Sequence, residues 1–139
     1  MAVKDLPKVI RIEKKSFSSP WSITAFLKEL HNKQADYYVA VSSGVVKGYI
    51  GVWCLINELH ITNLAVHPNY RRQGIATYLL DFILKEAKKR EIYRLTLEVR
   101  VSNKEAKQLY LKEGFAKFKV KQDYYKDNGE DAVVMSKEV

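Results

Sequence analysis

The sequence predicts a mixed α/β fold in which helices flank a central, partly parallel sheet. Two features carry that expectation. Through the middle of the chain, segments with the two-residue period of a strand alternate with segments of helical period, and strands joined through helices lie parallel. Flanking this run, β-rich segments meet at short polar turns, which makes antiparallel hairpins. The length of 139 residues suits one domain, residues 1–139, with a single substantial core.

Taken in order, Asp5 before Leu6-Pro7 starts a first helix whose apolar face is Val9, Ile12 and Phe17. After Ser18-Ser19-Pro20-Trp21, the hydroxyl of Ser22 caps a second helix that runs through Leu30. Tyr37 to Ser42 and Val45 to Ile56 are rich in β-branched and aromatic residues and form a hairpin about Ser43-Gly44. Asn57-Glu58 turns the chain into a strand from His60 to Val66. From Gly74 to Arg90, Ile75, Leu79, Ile83 and Ala87 recur at helical spacing, with Asp81, Lys85, Lys88 and Lys89 facing elsewhere. The strand Arg94 to Arg100 puts Leu95, Leu97 and Val99 on one face and Thr96, Glu98 and Arg100 on the other. Ser102 and Glu105 have capping-box spacing, and their helix runs to Gly114, suited to a left-handed stop. Phe115 to Lys121 and Ala132 to Lys137 are the last strands. There are no repeats, low-complexity tracts or linkers.

Composition excludes several classes. With 47% hydrophobic and 29% charged residues, the chain is neither disordered nor membrane-spanning. No apolar run approaches the roughly 20 residues that cross a bilayer, and Met1 to Lys8 lacks a signal-peptide core, so a cytoplasmic protein without membrane contact is expected. The single cysteine, Cys54, rules out an intrachain disulfide and a cysteine metal cluster. It is expected to be a buried strand residue, not a nucleophile. The net charge of +8 suits an anionic partner such as nucleic acid, a ribosome or a phosphorylated cofactor. It is spread over Lys85 to Arg90, Lys104 to Lys112 and Lys117 to Lys126, and does not choose among them.

The segment from Val66 to Thr77 is the most informative. It joins a strand to a helix N-terminus, where unpaired backbone N–H groups and the helix dipole favour an anion. Gly74 and the small Ala76 let a pyrophosphate approach the backbone, while Arg71 and Arg72 add charge. The pattern Arg71-x-x-Gly74-x-Ala76 also suits a plain polar turn.

In this strand-loop-helix setting the pattern resembles the acetyl-coenzyme A signature of the GNAT superfamily, Q/R-x-x-G-x-G/A, with Ala76 where many members carry glycine. Leu97-Glu98-Val99-Arg100-Val101-Ser102-Asn103, then Ala106, Leu109-Tyr110 and Gly114-Phe115, resembles the second block of its RimI-type enzymes. Pro20-Trp21-Ser22, Asn63-Leu64-Ala65-Val66, Tyr124-Tyr125, Gly129-Glu130-Asp131-Ala132 and Met135 extend the resemblance along nearly the whole chain. It implies a GNAT fold and acetyl-coenzyme A as cosubstrate. The amides of Arg72, Gln73, Gly74, Ile75, Ala76 and Thr77 would hold the pyrophosphate, with Arg71 beside them. The backbone of Leu64, Ala65 and Val66 would pair with the pantetheine arm, and Asn103 would add a further contact. Glu98 falls on the general base, Tyr110 on the general acid, and Tyr124 and Tyr125 on the peptide groove. No metal is implied.

Acid–base chemistry needs such a pair, because an attacking amine loses protons and a departing thiolate gains one. Taken without the resemblance, Glu98 reads as a solvated strand residue paired with Arg94 or Arg100, and Tyr110 as core. His60 is expected to pack in its strand and His67 to sit in a loop. A protein α-amine with a pKa of about 8 is roughly one-tenth neutral at pH 7, against a few parts in ten thousand for lysine at about 10.4. The resemblance implies the N-terminal alanine of a small-subunit ribosomal protein as acceptor, with the basic surface assisting at the ribosome. A lysine, polyamine or small-amine acetyltransferase is the nearer alternative. A basic nucleic-acid-binding module is the remoter one, lacking any RNA-binding signature or recognition helix, so specific nucleic-acid binding is not expected.

Overall fold

The computed structural model describes residues Met1–Val139. Helices α1 (Leu6–Ser16) and α2 (Ile23–Leu30) precede strands β1 (Ala35–Ser42), β2 (Val45–Cys54) and β3 (Leu59–Val66). Helix α3 (Ile75–Lys89), β4 (Arg94–Arg100), α4 (Lys104–Lys112), β5 (Ala116–Lys121) and β6 (Ala132–Glu138) follow. The six strands lie in the order β1-β2-β3-β4-β6-β5. Only β3 and β4 pair in parallel, as their α3 crossover requires, and the other neighbours are antiparallel. The expected mixed sheet is therefore present. One detail differs: α4 does not set β5 beside β4, because β6 returns antiparallel into the place between them.

Each face of the sheet buries its own cluster. Leu79, Leu80, Ile83 and Ala87 of α3 pack with Tyr110 of α4 on Leu59, Ile61, Leu95, Leu97 and Val99. On the other face, Leu6, Val9 and Ile12 of α1 and Phe26 of α2 cover Tyr37, Tyr49 and Ala65. Ser22 caps α2 by accepting from the Ala25 N–H, a contact worth about 1 kcal/mol. The β1–β2 hairpin turns on Ser43 and Gly44, both at positive φ. Strand β5 is an exposed edge, and Lys117, Lys119 and Lys121 give it the charge that discourages pairing with another sheet.

Three local expectations are corrected. The N-cap of α4 is Asn103, whose Oδ1 accepts from Ala106 N–H at 3.1 Å. Ser102 is one residue too early, and its own N–H is held by Glu130 at 2.7 Å. Phe17 lies just past the end of α1 in extended conformation and is partly exposed, so it leaves the apolar face of that helix. Cys54 ends β2 and is only half-buried.

The feature that shapes the site is a bulge. Pairing of β2 with β3 passes from Gly51↔Asn63 to Val52↔Ile61, leaving Thr62 as an extra residue in β3. A bulge bends its strand, and parallel pairing of β3 with β4 stops at Ile61↔Leu97. Tyr37 holds this point: its hydroxyl lies 3.2 Å from Thr62 Oγ1 and donates to Asn63 Oδ1 at 3.2 Å.

Candidate active site

Beyond Ile61 and Leu97 the two central strands separate, and a cleft of about 300 Å³ opens between them. Thr62, Asn63 and Leu64 of β3 line one wall and Glu98, Val99 and Arg100 of β4 the other. Asn103, Ala106 and Tyr110 of α4 close one end, and Glu13, Phe17 and Trp21 approach from α1 and the segment after it. His67 N–H donates to Lys47 carbonyl on the β2 side. Antiparallel alternation then turns the backbone groups of Ala65 toward β2 and those of Leu64 and Val66 toward the open edge. Of the three residues expected to meet a pantetheine arm, Leu64 and the N–H of Val66 offer an unpaired edge, the Val66 carbonyl being taken by Arg71.

The loop after β3 has the geometry of an anion cradle. None of the backbone amides from Arg71 through Thr77 donates a hydrogen bond within the chain. The first intrahelical bond of α3 is Tyr78 N–H to the Gly74 carbonyl, at 2.9 Å. Arg72 and Gly74 both have positive φ, the alternation that turns successive N–H groups into one concavity. Space around Gly74 is open, and Ile75, Ala76 and Thr77 form the first turn of the helix. Arg71 is committed elsewhere: its Nε donates to the Val66 carbonyl at 3.1 Å and its terminal nitrogen to Ser16 Oγ at 3.2 Å. It clips the loop to β3 and α1. Thr77 Oγ1 likewise donates to Glu113 at 3.1 Å, joining α3 to the end of α4. Arg72 and Gln73 are exposed.

Glu98 and Tyr110 meet in the same cleft. Burial alone would raise the Glu98 carboxyl. Hydrogen bonds and charge from His60 and Lys121 outweigh it and leave the group below the usual carboxylate range. His60 Nε2 lies 2.7 Å from Oε2, and Lys121 Nζ donates to Oε1 at 2.9 Å. Neither expected neighbour, Arg94 or Arg100, is the partner. Arg100 instead donates to Asp127 at 2.8 Å and stacks 4.0 Å from the Tyr125 ring centroid. Tyr110 is buried with its ring against Phe115, and its hydroxyl has no partner in the chain. Burial, with the nearby Tyr125, raises its pKa well above the usual phenol, so the group is a donor.

A second hollow of about 290 Å³ adjoins Glu98 on the outer side, lined by Trp21, Trp53, His60, Thr62, Tyr124 and Tyr125. The two tyrosines singled out from the sequence are therefore both beside Glu98. Tyr124 is partly exposed, whereas burial pushes Tyr125 up to about 12 despite the Arg100 guanidinium. Asp127 ties the loop carrying them to the α1–α2 segment by accepting from Ser18 and Ser19 at 3.1 Å. No three His, Cys, Asp or Glu side chains are placed to hold a metal ion.

Several residues at the site escaped sequence reading. Glu13 is 2% exposed. It accepts from the Trp21 N–H at 2.9 Å and from the Tyr49 hydroxyl, and burial raises its pKa against those bonds. The signal for it was present, because Glu13 falls four residues after Val9 on the apolar stripe of α1. His60 was read as packing in its strand and Lys121 as part of the diffuse charge, while Trp53 drew no reading of its own. Their convergence on Glu98 depends on strand order and carried no local signal.

Residues 6–115 match the acetyltransferase (GNAT) family. A protein of Bacillus subtilis (strain 168), provisionally named a ribosomal protein bS18-alanine N-acetyltransferase, is 40% identical over 136 residues, covering 97% of this chain and 90% of its own. Among solved structures, the ribosomal-protein-S18-alanine N-acetyltransferase of Escherichia coli superposes with a TM-score of 0.91 at 30% identity, over 100% of this chain and 90% of that one. Ard1 from Thermoplasma volcanium superposes with a TM-score of 0.93 at 28% identity, over 100% and 94%. Matched along its sequence and across its whole fold, the chain belongs to the GNAT family of acetyltransferases.

Proposed function

We propose that this protein transfers the acetyl group of acetyl-coenzyme A to the N-terminal α-amino group of a protein, with the N-terminal alanine of a small-subunit ribosomal protein as acceptor. One observation carries the reading: an ionised carboxylate and an unpartnered, protonated phenol line one cleft beside β3, and the loop that follows β3 carries a run of free backbone amides. The amides of Arg72, Gln73, Gly74, Ile75, Ala76 and Thr77 suit a pyrophosphate, with Arg71 bracing the loop. The open edge of β3 at Leu64 and Val66 suits the amide groups of a pantetheine arm, Ala65 lying between them, and Asn103 borders the same cleft. Glu98 takes a proton from the acceptor ammonium, the neutral amine attacks the thioester carbonyl, and Tyr110 protonates the thiolate as the C–S bond breaks. Tyr110 regains its proton from the nitrogen, so one proton is released per turnover.

The hollow beside Glu98 suits the acceptor. Trp21, Trp53, Tyr124 and Tyr125 form an aromatic wall for a chain terminus, and an aromatic surface next to a carboxylate favours an ammonium group. The names of the bacterial relatives support the ribosomal acceptor, and a cytoplasmic location accords with it. The test is transfer from acetyl-coenzyme A to a peptide that begins with alanine and carries an internal lysine, beside its N-terminally blocked twin, with the product located by mass spectrometry. Acetylation of the free terminus alone is expected. Modification of lysine in both peptides would move the acceptor to side-chain or small amines, and no transfer to either would remove the proposal.

A further inference from the structure

Four residues of α1 are buried: Leu6, Val9, Ile12 and Glu13. Three are the apolar cover that this face of the sheet requires. A carboxylate in the same layer loses its hydration, and an apolar side chain of similar size often serves packing there at least as well. What distinguishes Glu13 is the pair of elements that its oxygens join. Oε1 accepts from the Tyr49 hydroxyl in the middle of β2, and Oε2 accepts from the Trp21 N–H at 2.9 Å. Burial first, then the neighbouring carboxylate, hold the Tyr49 phenol far above its usual pKa, so that hydroxyl keeps its proton and donates. The Asn63 side chain supports the same carboxylate from the wall of the cleft, while its Oδ1 accepts from Tyr37 at 3.2 Å.

The far end of this tether is the segment between α1 and α2, which carries Trp21. Its ring packs with centroids 5.3 Å from Phe26 and 6.4 Å from Tyr37. Trp21, like Glu98, borders both the cleft and the hollow beside it. The segment has a second tether, Ser18 and Ser19 on Asp127, but those bonds are exposed and water competes for them. From this we infer that Glu13 is a positioning residue for the acceptor. It fixes the Trp21 backbone to the centre of the sheet and so sets where the Trp21 ring stands in the acceptor wall. The inference rests on the acetyl transfer proposed above.

Glu13 acts through Trp21 and not on the amine. Each of its oxygens already faces a donor of the fold, and the side chain is closed to solvent. Its partners carry no charge, so what it supplies is reach: one side chain long enough to hold a β2 hydroxyl and a loop N–H at once. A backbone N–H can only donate, whereas a phenol can also accept. A glutamine of the same length can therefore serve both partners, its oxygen on Trp21 and its nitrogen on Tyr49. An aspartate, one methylene shorter, keeps the charge and loses the span. Without the tether Trp21 is free to leave its place, and an arriving chain terminus must order it again. A cost of that kind falls on affinity for the acceptor and leaves the Glu98–Tyr110 pair and the anion loop as they are.

The test uses the full chain with acetyl-coenzyme A and the alanine-terminated peptide, measuring kcat, both KM values and thermal melting. Glu13→Asp is expected to raise KM for the peptide about tenfold, the scale of a lost hydrogen bond to a charged group. Its kcat and its KM for acetyl-coenzyme A should stay within about twofold of the parent, the signature of binding lost equally from ground and transition states. Glu13→Gln, which keeps the reach, should hold peptide KM within about twofold. In a Trp21→Ala background, where peptide KM is already raised, Glu13→Asp should add nothing further, because Glu13 acts through the ring. Should Glu13→Asp not fold, Glu13→Met takes its place in the same comparison. A parent-like peptide KM in Glu13→Asp would overturn the inference. The reverse order, with Glu13→Gln impaired and Glu13→Asp parent-like, would assign the effect to charge and overturn it too. So would a fall in kcat and a rise in both KM values that track a lower melting temperature, or a loss that adds to that of Trp21→Ala, since each marks a general role in the fold. With an active parent those results remove this inference alone, whereas an inactive parent removes the transfer reading and this inference with it.

Discussion

At the scale of single residues, the two groups proposed as base and acid are pushed apart in pKa by their surroundings. Glu98 sits between His60 and Lys121 and stays below the ordinary carboxylate range, while burial lifts Tyr110 above the ordinary phenol. Between those limits the base is ionised and the acid protonated, so neither group restricts the rate near neutrality. The remaining variable is the acceptor, whose α-amine has a pKa of about 8. Because ionised Glu98 takes the proton from the bound ammonium, kcat/KM of the parent is expected to vary little from mildly acid to neutral pH, whereas that of Glu98→Gln, which must await neutral amine, rises about tenfold per pH unit up to that value; a parent profile as steep as the variant's would contradict this. Glu98→Gln and Tyr110→Phe should each lower kcat by about 10² to 10⁴, with acetyl-coenzyme A binding retained in titration calorimetry. The same shift bears on stability. Because the folded pKa of Glu98 lies below the unfolded one, its contribution is present above the ordinary carboxylate pKa and is lost as pH falls through the lower, folded value.

At the scale of elements, the site exists because β3 bulges at Thr62 and leaves β4. Gly51 makes room for that arrangement: a Cβ there would stand 2.1 Å from the Tyr37 ring whose hydroxyl holds the bulge. Gly51→Ala must displace the ring, at a cost of about 1–3 kcal/mol for overpacking. Lower melting temperature together with reduced kcat/KM is expected, and an alanine variant equal to the parent in both would show that the ring does not set the bulge. How legible these elements were follows from their physics. Arg94–Arg100 was readable with its faces assigned, because period-two alternation is local and both faces are distinct. The anion loop was readable because its motif spans one strand-to-helix junction, whereas Glu98 and Tyr110 were singled out only through the family resemblance, since read alone they suit a solvated strand residue and a core residue. The bulge was not: an extra residue in Leu59–Val66 changes no composition and appears only as pairing with β2. His60 was passed over for the same reason, since its partners Thr96 and Glu98 are neighbours only once β3 and β4 are in register. The cap at Asn103 was missed by one position because Ser102 and Asn103 are both good capping residues, and Glu130 captures the N–H of Ser102.

At the scale of the whole molecule, the net charge of +8 surrounds a site that itself handles charge locally. Arg100 is paired with Asp127 and Glu130, Arg90 with Asp36 and Glu86, and Lys121 with Glu98, so the ion pairs within the fold leave the surplus cations on the outside. They sit on α1 (Lys8, Arg11, Lys14, Lys15) and α4 (Lys104, Lys107, Lys112), which border the cleft, and along β5 (Lys117, Lys119), whose last residue, Lys121, reaches Glu98. Burial and pairing give these side chains no role in the core, and a field of one sign around a cleft accelerates encounter with an anionic partner. A short alanine-terminated peptide gains little from such a field, whereas the same terminus presented on a ribosomal particle gains much, because the particle is a dense polyanion. Exposed charges act through a Debye length of about 10 Å at 0.1 M salt and about 3 Å at 1 M. Raising salt across that range is therefore expected to lower kcat/KM steeply on ribosomal substrate, with the change in KM and not kcat, and only weakly on the free peptide. Equal salt dependence for the two substrates would assign the surface charge to acetyl-coenzyme A capture. A rate on ribosomal substrate that ignores salt would leave the basic surface without a part in acceptor encounter.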